Sequence, residues 1–534
     1  MRNSLKLLMI ALAITLPGWA QTPTAGQGFH MAGRVVDALT GKPLNRMVVE
    51  IGKPLSTESA ASVVTGADGR FAFSNLEQGK YWLATQGKGI PRQAYQEHGF
   101  YSTAIAVGPA VESDGIEFKV NPDSSIAGVI TDQNGEGIRD AQVMLFRRGL
   151  ENGKRVTVMQ EEANSNDEGR YHFSHVQAGT YFIVVSAKPW FAPYTQGVLQ
   201  QTGFKNQEHR AALDVVYPIT YYPGGSDAGG ATPILVKSGE HVSADVTLTP
   251  EPAQHFKVTD PDAGQDQGMN VLLEQRVFDG FPVNVQAQAV ATAPGEVEIA
   301  GVAEGHYRMQ VQSYGKNSST RTEEVDVSNG AELRASGSVA AAEVTGIVKR
   351  QSSGGDPVIR LTNVATRDVF DGQVSKKGTF KMDAEALPPG KYDVEVLNLE
   401  HAVVKNVAAT GARASGQTVE ISGGGAVRLT ITLAEQLSRV DGIALRDGKG
   451  AGGAMIVLIP QDLEHNVSLA RRDQSDSDGT FSLYAVPAGK YTVVAIENGW
   501  TLEWQDRDVI APYLKNGTAV EVGTDKGSLK VTVQ

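Results

Sequence analysis

An all-β fold, arranged as a tandem array of antiparallel β-sandwich domains, is predicted by three features of the sequence. A motif recurs: "ADGRFAFSNLEQGKYWL" at 67–83, "DEGRYHFSHVQAGTYFI" at 167–183 and "SDGTFSLYAVPAGKYTV" at 477–493. Inside it, apolar residues alternate at period two, the spacing of a strand with one buried face. Between strand-like runs lie Gly-rich turns, with 59 glycines in 534 residues, and no segment keeps a convincing helical period.

The motif has a fixed grammar. Two glycines stand ten apart at 69/79, 169/179, 295/305 and 479/489, and twelve apart at 378/390. An aromatic follows the second by two: Tyr81, Tyr181, Tyr307, Tyr392 and Tyr491. After the first come same-face pairs such as Phe71 and Phe73, Tyr171 and Phe173, or Phe481 and Leu483. One more apolar residue (Leu76, Val176, Val302, Leu387, Val486) precedes the second glycine and plugs a turn. Hairpin-like stretches open four of the units, from Gly33, Gly128, Gly346 and Gly442, and a last strand closes them, as in "GIEFKV" at 115–120.

Five units follow: 21–121, 122–252 with an aromatic-rich insertion at 188–225, 253–340 in a degenerate copy, 341–434 and 435–534. Residues 1–20 read as a signal peptide. Arg2 and Lys6 form its basic start, Leu7 to Leu16 its short apolar run, and Gly18 and Ala20 its cleavage pattern. This places the protein in the periplasm, on the outer surface or outside the cell. No later apolar run is long enough for a transmembrane helix. With no Cys, each core must hold by apolar burial alone. The net charge is −12, and −14 once Arg2 and Lys6 leave with the leader, which excludes nucleic acid and anionic membrane as partners.

The motif resembles the carboxypeptidase regulatory-like domain family, a prealbumin-like, Ig-like sandwich similar to the B-type repeats of surface adhesins. Residues 33–81, 128–181 and 442–491 meet its pattern well. Residues 346–392 meet it in part, with Lys377 at the turn, and 255–307 weakly, with Pro294 there. The resemblance implies the fold. It also raises an intramolecular Lys–Asn or Lys–Asp bond, as in some adhesin repeats, for which only Lys349 stands suitably. Some family members place such a domain ahead of an outer-membrane receptor barrel, but no plug or barrel sequence follows here.

Chemistry-bearing motifs are not found. None of the ten histidines has Glu three residues on, so the zinc spacing of a carboxypeptidase is missing, and no nucleophile elbow, P-loop or dinucleotide fingerprint occurs. His172 and His175 do not share a strand face. In "DQSDSDG" (473–479) the acids miss the calcium-loop register, and the turn position holds Asp68, Glu168, Pro294, Lys377 or Asp478 in the five copies. The expectation is a non-enzyme with no cofactor and no metal.

Aromatic segments follow the Tyr strand in three units. The insertion of unit two carries Trp190, Phe191, Tyr194, Phe204, Tyr217, Tyr221 and Tyr222; "YQEHGFYSTAIAV" (95–107) is its shorter parallel in unit one. In unit five "WTLEWQDRDVIAPYL" (500–514) carries Trp500 and Trp504. Such rings on a rigid β scaffold can stack on sugars, or can fold back as a local core. The reading is an exported binding or scaffold protein of the envelope. Its ligand-contacting residues are Trp190, Phe191, Tyr194, Tyr217, Tyr221, Tyr222, Trp500 and Trp504, and its partner is a polysaccharide or envelope glycan. The alternative is a structural spacer or adhesin stalk that presents or orients a partner protein.

Overall fold

The computed structural model describes residues 28–109, 111–192, 213–260, 268–314, 319–328, 332–334, 342–350, 355–383, 387–399, 401–523 and 527–534. The leader at 1–20 therefore lies outside the described residues. Strands dominate, and among the described residues the one α-helix is Arg507–Lys515.

Among the described residues ten major sheets group in pairs along the chain. In unit one, strand Phe29–Asp37 lies between Arg70–Leu76 and Ile116–Val120, facing a sheet built on Val48–Gly52 and Gly79–Gly87. The same plan returns with first strands Ser125–Asp132, Gln254–Thr259, Ala342–Lys349 and Leu437–Arg446. An apolar cluster fills the space between each pair. The largest fully buried side chains include Tyr392, Phe118, Phe173, Phe256 and Phe481. One detail departs from an antiparallel sandwich. The first and last strands of every unit pair in parallel, as Ala342–Lys349 does with Gly425–Ala434.

The recurring residues make recurring bonds. The first glycine of the motif sits at positive φ in all five units (Gly69, Gly169, Gly295, Gly378, Gly479). Its carbonyl accepts a hydrogen bond from the first strand each time: from Val35, Ile130, Asp260, Val348 and Ala444. A Cβ at Gly169 would lie 2.3 Å from the Ile130 carbonyl oxygen, so both the turn and the close approach require glycine. Each motif tyrosine gives its hydroxyl hydrogen to the carbonyl four residues earlier. Tyr81 bonds Glu77, Tyr181 Gln177, Tyr307 Ala303, Tyr392 Pro388 and Tyr491 Pro487, at 2.6–3.1 Å. The polar tip of a buried ring thereby satisfies the turn that precedes it. Unit three keeps both bonds although Pro294 replaces the turn acid.

The units also hold one another. Unit two meets unit three through apolar rings: Phe278 packs on Phe146, Phe182 and Tyr221, with centroids 5.0–5.4 Å apart. Unit three meets unit four at Asp368, which accepts from Arg276 at 2.7 Å and Arg308 at 2.6 Å. Burial would raise the Asp368 pKa, but the hydrogen bonds from Thr366, Arg276 and Arg308 outweigh it and hold the carboxyl below its usual value. Unit five docks back on unit one. There Ser477 N–H donates to Ala104 O at 2.9 Å, Gln474 donates to Gln96 O and Thr103 at 2.7 Å, and Lys80 binds Asp476. The segment that resembled a calcium loop thus belongs to this junction.

Candidate functional site

Between units two and three runs a groove of about 960 Å³. Strand Gly179–Ser186 delivers the chain to its rim, where Lys188, Pro189, Trp190 and Phe191 stand. Trp190 is 74% exposed, and Phe191 meets it edge-on at 5.8 Å. The walls carry amides and carboxylates: Gln142, Glu162 and Asn164 from unit two, Gln275 and Gln286 from unit three. These five side chains make no hydrogen bond within the described residues, so their polar atoms remain for another molecule. Burial pushes the Lys188 ammonium pKa down, which marks the rim as partly dry.

The other rings expected to contact ligand are placed differently. Tyr217 is 7% exposed and belongs to the core of unit two, though its edge reaches the groove wall. Tyr222 is partly buried against that core. Tyr221 is 2% exposed and sits in the unit two–three interface, where burial, with a smaller contribution from Asp227, pushes its pKa up to about 12. Strand register explains it: Thr220–Tyr221 pairs with Val184 and Val185 and adds to the sheet. Tyr194 and Phe204 lie outside the described residues.

Trp500 and Trp504 work at another place. Trp500 stacks on His98 of unit one, with centroids 4.7 Å apart and planes 6° from parallel. Trp504 is 3% exposed and its ring lies on Gly153 of unit two, where a Cβ would approach it to 2.3 Å. Their segment leads from a 3-10 turn, Gly499–Thr501, into a helix. Asp506 caps the helix Arg507–Lys515 by accepting from Asp508 N–H, and Ile510 is fully buried beneath it. The Trp500 and Trp504 rings are thus spent on contacts between units. Arg155 and Glu503 add an ion pair at 2.8 Å to the same contact.

Lys349, the one candidate for an internal covalent bond, projects from the outer face of its strand, away from the core where such a bond forms. His175 pairs with Asp123 at 2.9 Å and His172 faces outward. Among the described residues no group of three metal-ligating side chains occurs, and no helix is long and apolar enough to cross a membrane.

These features define a β-sandwich array. Residues 30–109 and 125–214 match the family model of the carboxypeptidase regulatory-like domain. The matched model is that of a regulatory-like domain, by its description, and not of a peptidase. No curated protein matches the chain. Among solved structures, a streptococcal ancillary pilin is similar at 11% identity, covering 53% of this chain and 99% of its own, with a TM-score of 0.20. The Bacillus anthracis TIE protein is similar at 12% identity, over 77% and 75%, with a TM-score of 0.19. BcpA, the major pilin subunit of Bacillus cereus, is similar at 12% identity, over 59% and 100%, with a TM-score of 0.15.

Proposed function

We propose that the chain is an exported, non-catalytic scaffold that binds carbohydrate in the groove between units two and three. The observation that carries this reading is Trp190: a large flat ring, mostly exposed, on the rim of a groove where Gln142, Glu162, Asn164, Gln275 and Gln286 make no hydrogen bond among the described residues. A ring face takes the apolar face of a sugar, and Gln142, Asn164 and Gln286 are suited to bond its hydroxyls. Export rests on the basic, apolar and small-residue pattern of residues 1–20.

The second reading is a frame that orients a partner protein. The docking of unit five on unit one favours a closed frame over an extended stalk. A glycan array probed with the full chain decides between them. Retention of a defined glycan class, abolished by Trp190→Ala, supports the groove. No retention on any glycan removes the carbohydrate reading and leaves the frame.

A further inference from the structure

Units one, two, four and five meet around a second cavity of about 570 Å³, separate from the groove. Its fourth-unit wall is the outer face of a sheet. Along Gly390–Leu397, Tyr392 and Val394 turn into the core, so Lys391, Asp393 and Glu395 turn out. Thr362 and Thr418 flank Asp393 in register on the neighbouring strands. Arg471 and Arg472 of unit five, Lys154 of unit two and Tyr101 of unit one complete the enclosure.

Several charges around this space make no ion pair among the described residues. Arg471 donates only to neutral carbonyls, those of Ser468, Ala470 and Ala485, at 2.7–3.1 Å. Burial lowers its pKa, as expected for a cation lacking a carboxylate. Arg472 lies over the rings of Tyr101 at 5.2 Å and Trp504 at 5.8 Å and makes no ion pair among the described residues. The Trp504 indole N–H in the same wall is buried without an acceptor.

On the fourth-unit side, Asp393 accepts no hydrogen bond among the described residues. The surrounding walls displace enough water to raise its pKa, although its surface stays open to the cavity. Lys391, Arg367 and Lys154 act on it from a distance, and Arg367 is itself held by Glu151 at 3.1 Å. Glu395 also makes no ion pair among the described residues. Unpaired charges of both signs inside one enclosure are unfavourable when left so. They match a ligand that carries both signs.

We infer that this four-unit cavity binds a small zwitterion, a free amino acid or short peptide, its carboxylate on Arg472 and its ammonium on Asp393 and Glu395. The volume lies within the range of small-molecule sites. The walls come from units far apart in sequence, so the bound ligand ties the closed arrangement together and raises its stability by mass action.

The test is calorimetric titration and thermal unfolding of the full chain with the standard amino acids and with glycine peptides of two to four residues. Each is compared with its N-acetylated and its C-amidated form. At least one zwitterion should bind and raise the melting temperature, and blocking either end should weaken it at least tenfold. Asp393→Asn, which removes no hydrogen bond among the described residues, should abolish the preference for a free amine while sparing that for a free carboxylate. Arg472→Met should do the reverse. Equal binding of blocked and unblocked probes, or neither heat nor thermal shift with every probe, overturns the proposal.

Discussion

Replacing Trp190 and Tyr221 by alanine, one at a time, separates ligand contact from packing within a single inserted segment. Tyr221 is 2% exposed, lies 5.4 Å from Phe278 across the unit two–three boundary, and is held in strand register with Val184. Truncating an aromatic ring in such a place costs about 3–5 kcal/mol, because it removes apolar burial and leaves a cavity that the two sheets cannot close. Trp190 is 74% exposed, and its described ring contact is the edge of Phe191. Its removal should change stability by about 0.5 kcal/mol or less. Urea unfolding followed by far-UV circular dichroism measures both, and affinity electrophoresis in glycan-containing gels measures retention. The expected outcome is crossed: Tyr221→Ala unstable, Trp190→Ala stable but unretained. If Trp190→Ala destabilised the chain by more than about 2 kcal/mol, its ring would have to be covered, and the groove would lose its stacking surface.

Asp368→Asn leaves the Arg276 and Arg308 guanidiniums without their shared carboxylate and should cost about 3 kcal/mol in denaturant unfolding. The folded pKa of Asp368 is depressed below 3.8, so its contribution is present above about pH 4 and lost as pH falls through the lower folded value; the variant should lack that acid limb. Asp473 shows the opposite sign: burial, against hydrogen bonds from Ser482 and Gln474 N–H, raises it from 3.8 to about 6. The folded state holds that proton longer, so stability falls as pH rises from about 4 through about 6. Asp473→Asn, which keeps one of the two oxygens that accept those N–H groups, should be less stable than wild type at pH 4 but should lack the wild-type loss between about pH 4 and pH 6, read by urea midpoints. Protein recovered from the native envelope should begin at Gln21 by N-terminal sequencing; a retained Met1 would rule out cleavage of the leader.

The sandwich was legible because its determinants are local and repeated. A glycine at positive φ, two same-face apolar residues and a tyrosine reaching back four residues lie within one short stretch, and each does the same thing in all five units. Even the weak third copy keeps Gly295 and Tyr307, the residues whose geometry cannot be replaced. What the sequence hid is what forms between units. Gln474, Ser475 and Thr103 look like ordinary surface residues, yet all three are buried where units one and five meet. The bonds that join them across the junction span more than 370 residues of chain, and no periodicity registers such a pairing. The helix at 507–515 was missed for a different reason. Its signal is one capping Asp506 and one buried Ile510, set among aromatics that read as a loop. Trp500 and Trp504 show the same limit: composition marks a large ring but not whether it faces a ligand or Gly153 of a neighbouring unit.

The parallel pairing of first and last strands has a mechanical consequence. When a chain is pulled from its two ends, each unit is loaded through those strands in opposite directions along their length, so the hydrogen bonds between them share the force and must slide together rather than open one by one. Resistance then grows with the length of the shared ladder. Among the described residues unit four has eight residue pairs between Ala342–Lys349 and its closing strand, and unit three has three, Lys257–Thr259 against Glu332–Arg334. Under tension the contact of unit five with unit one parts first, and of these two described ladders the shorter one, in unit three, should then yield before that of unit four.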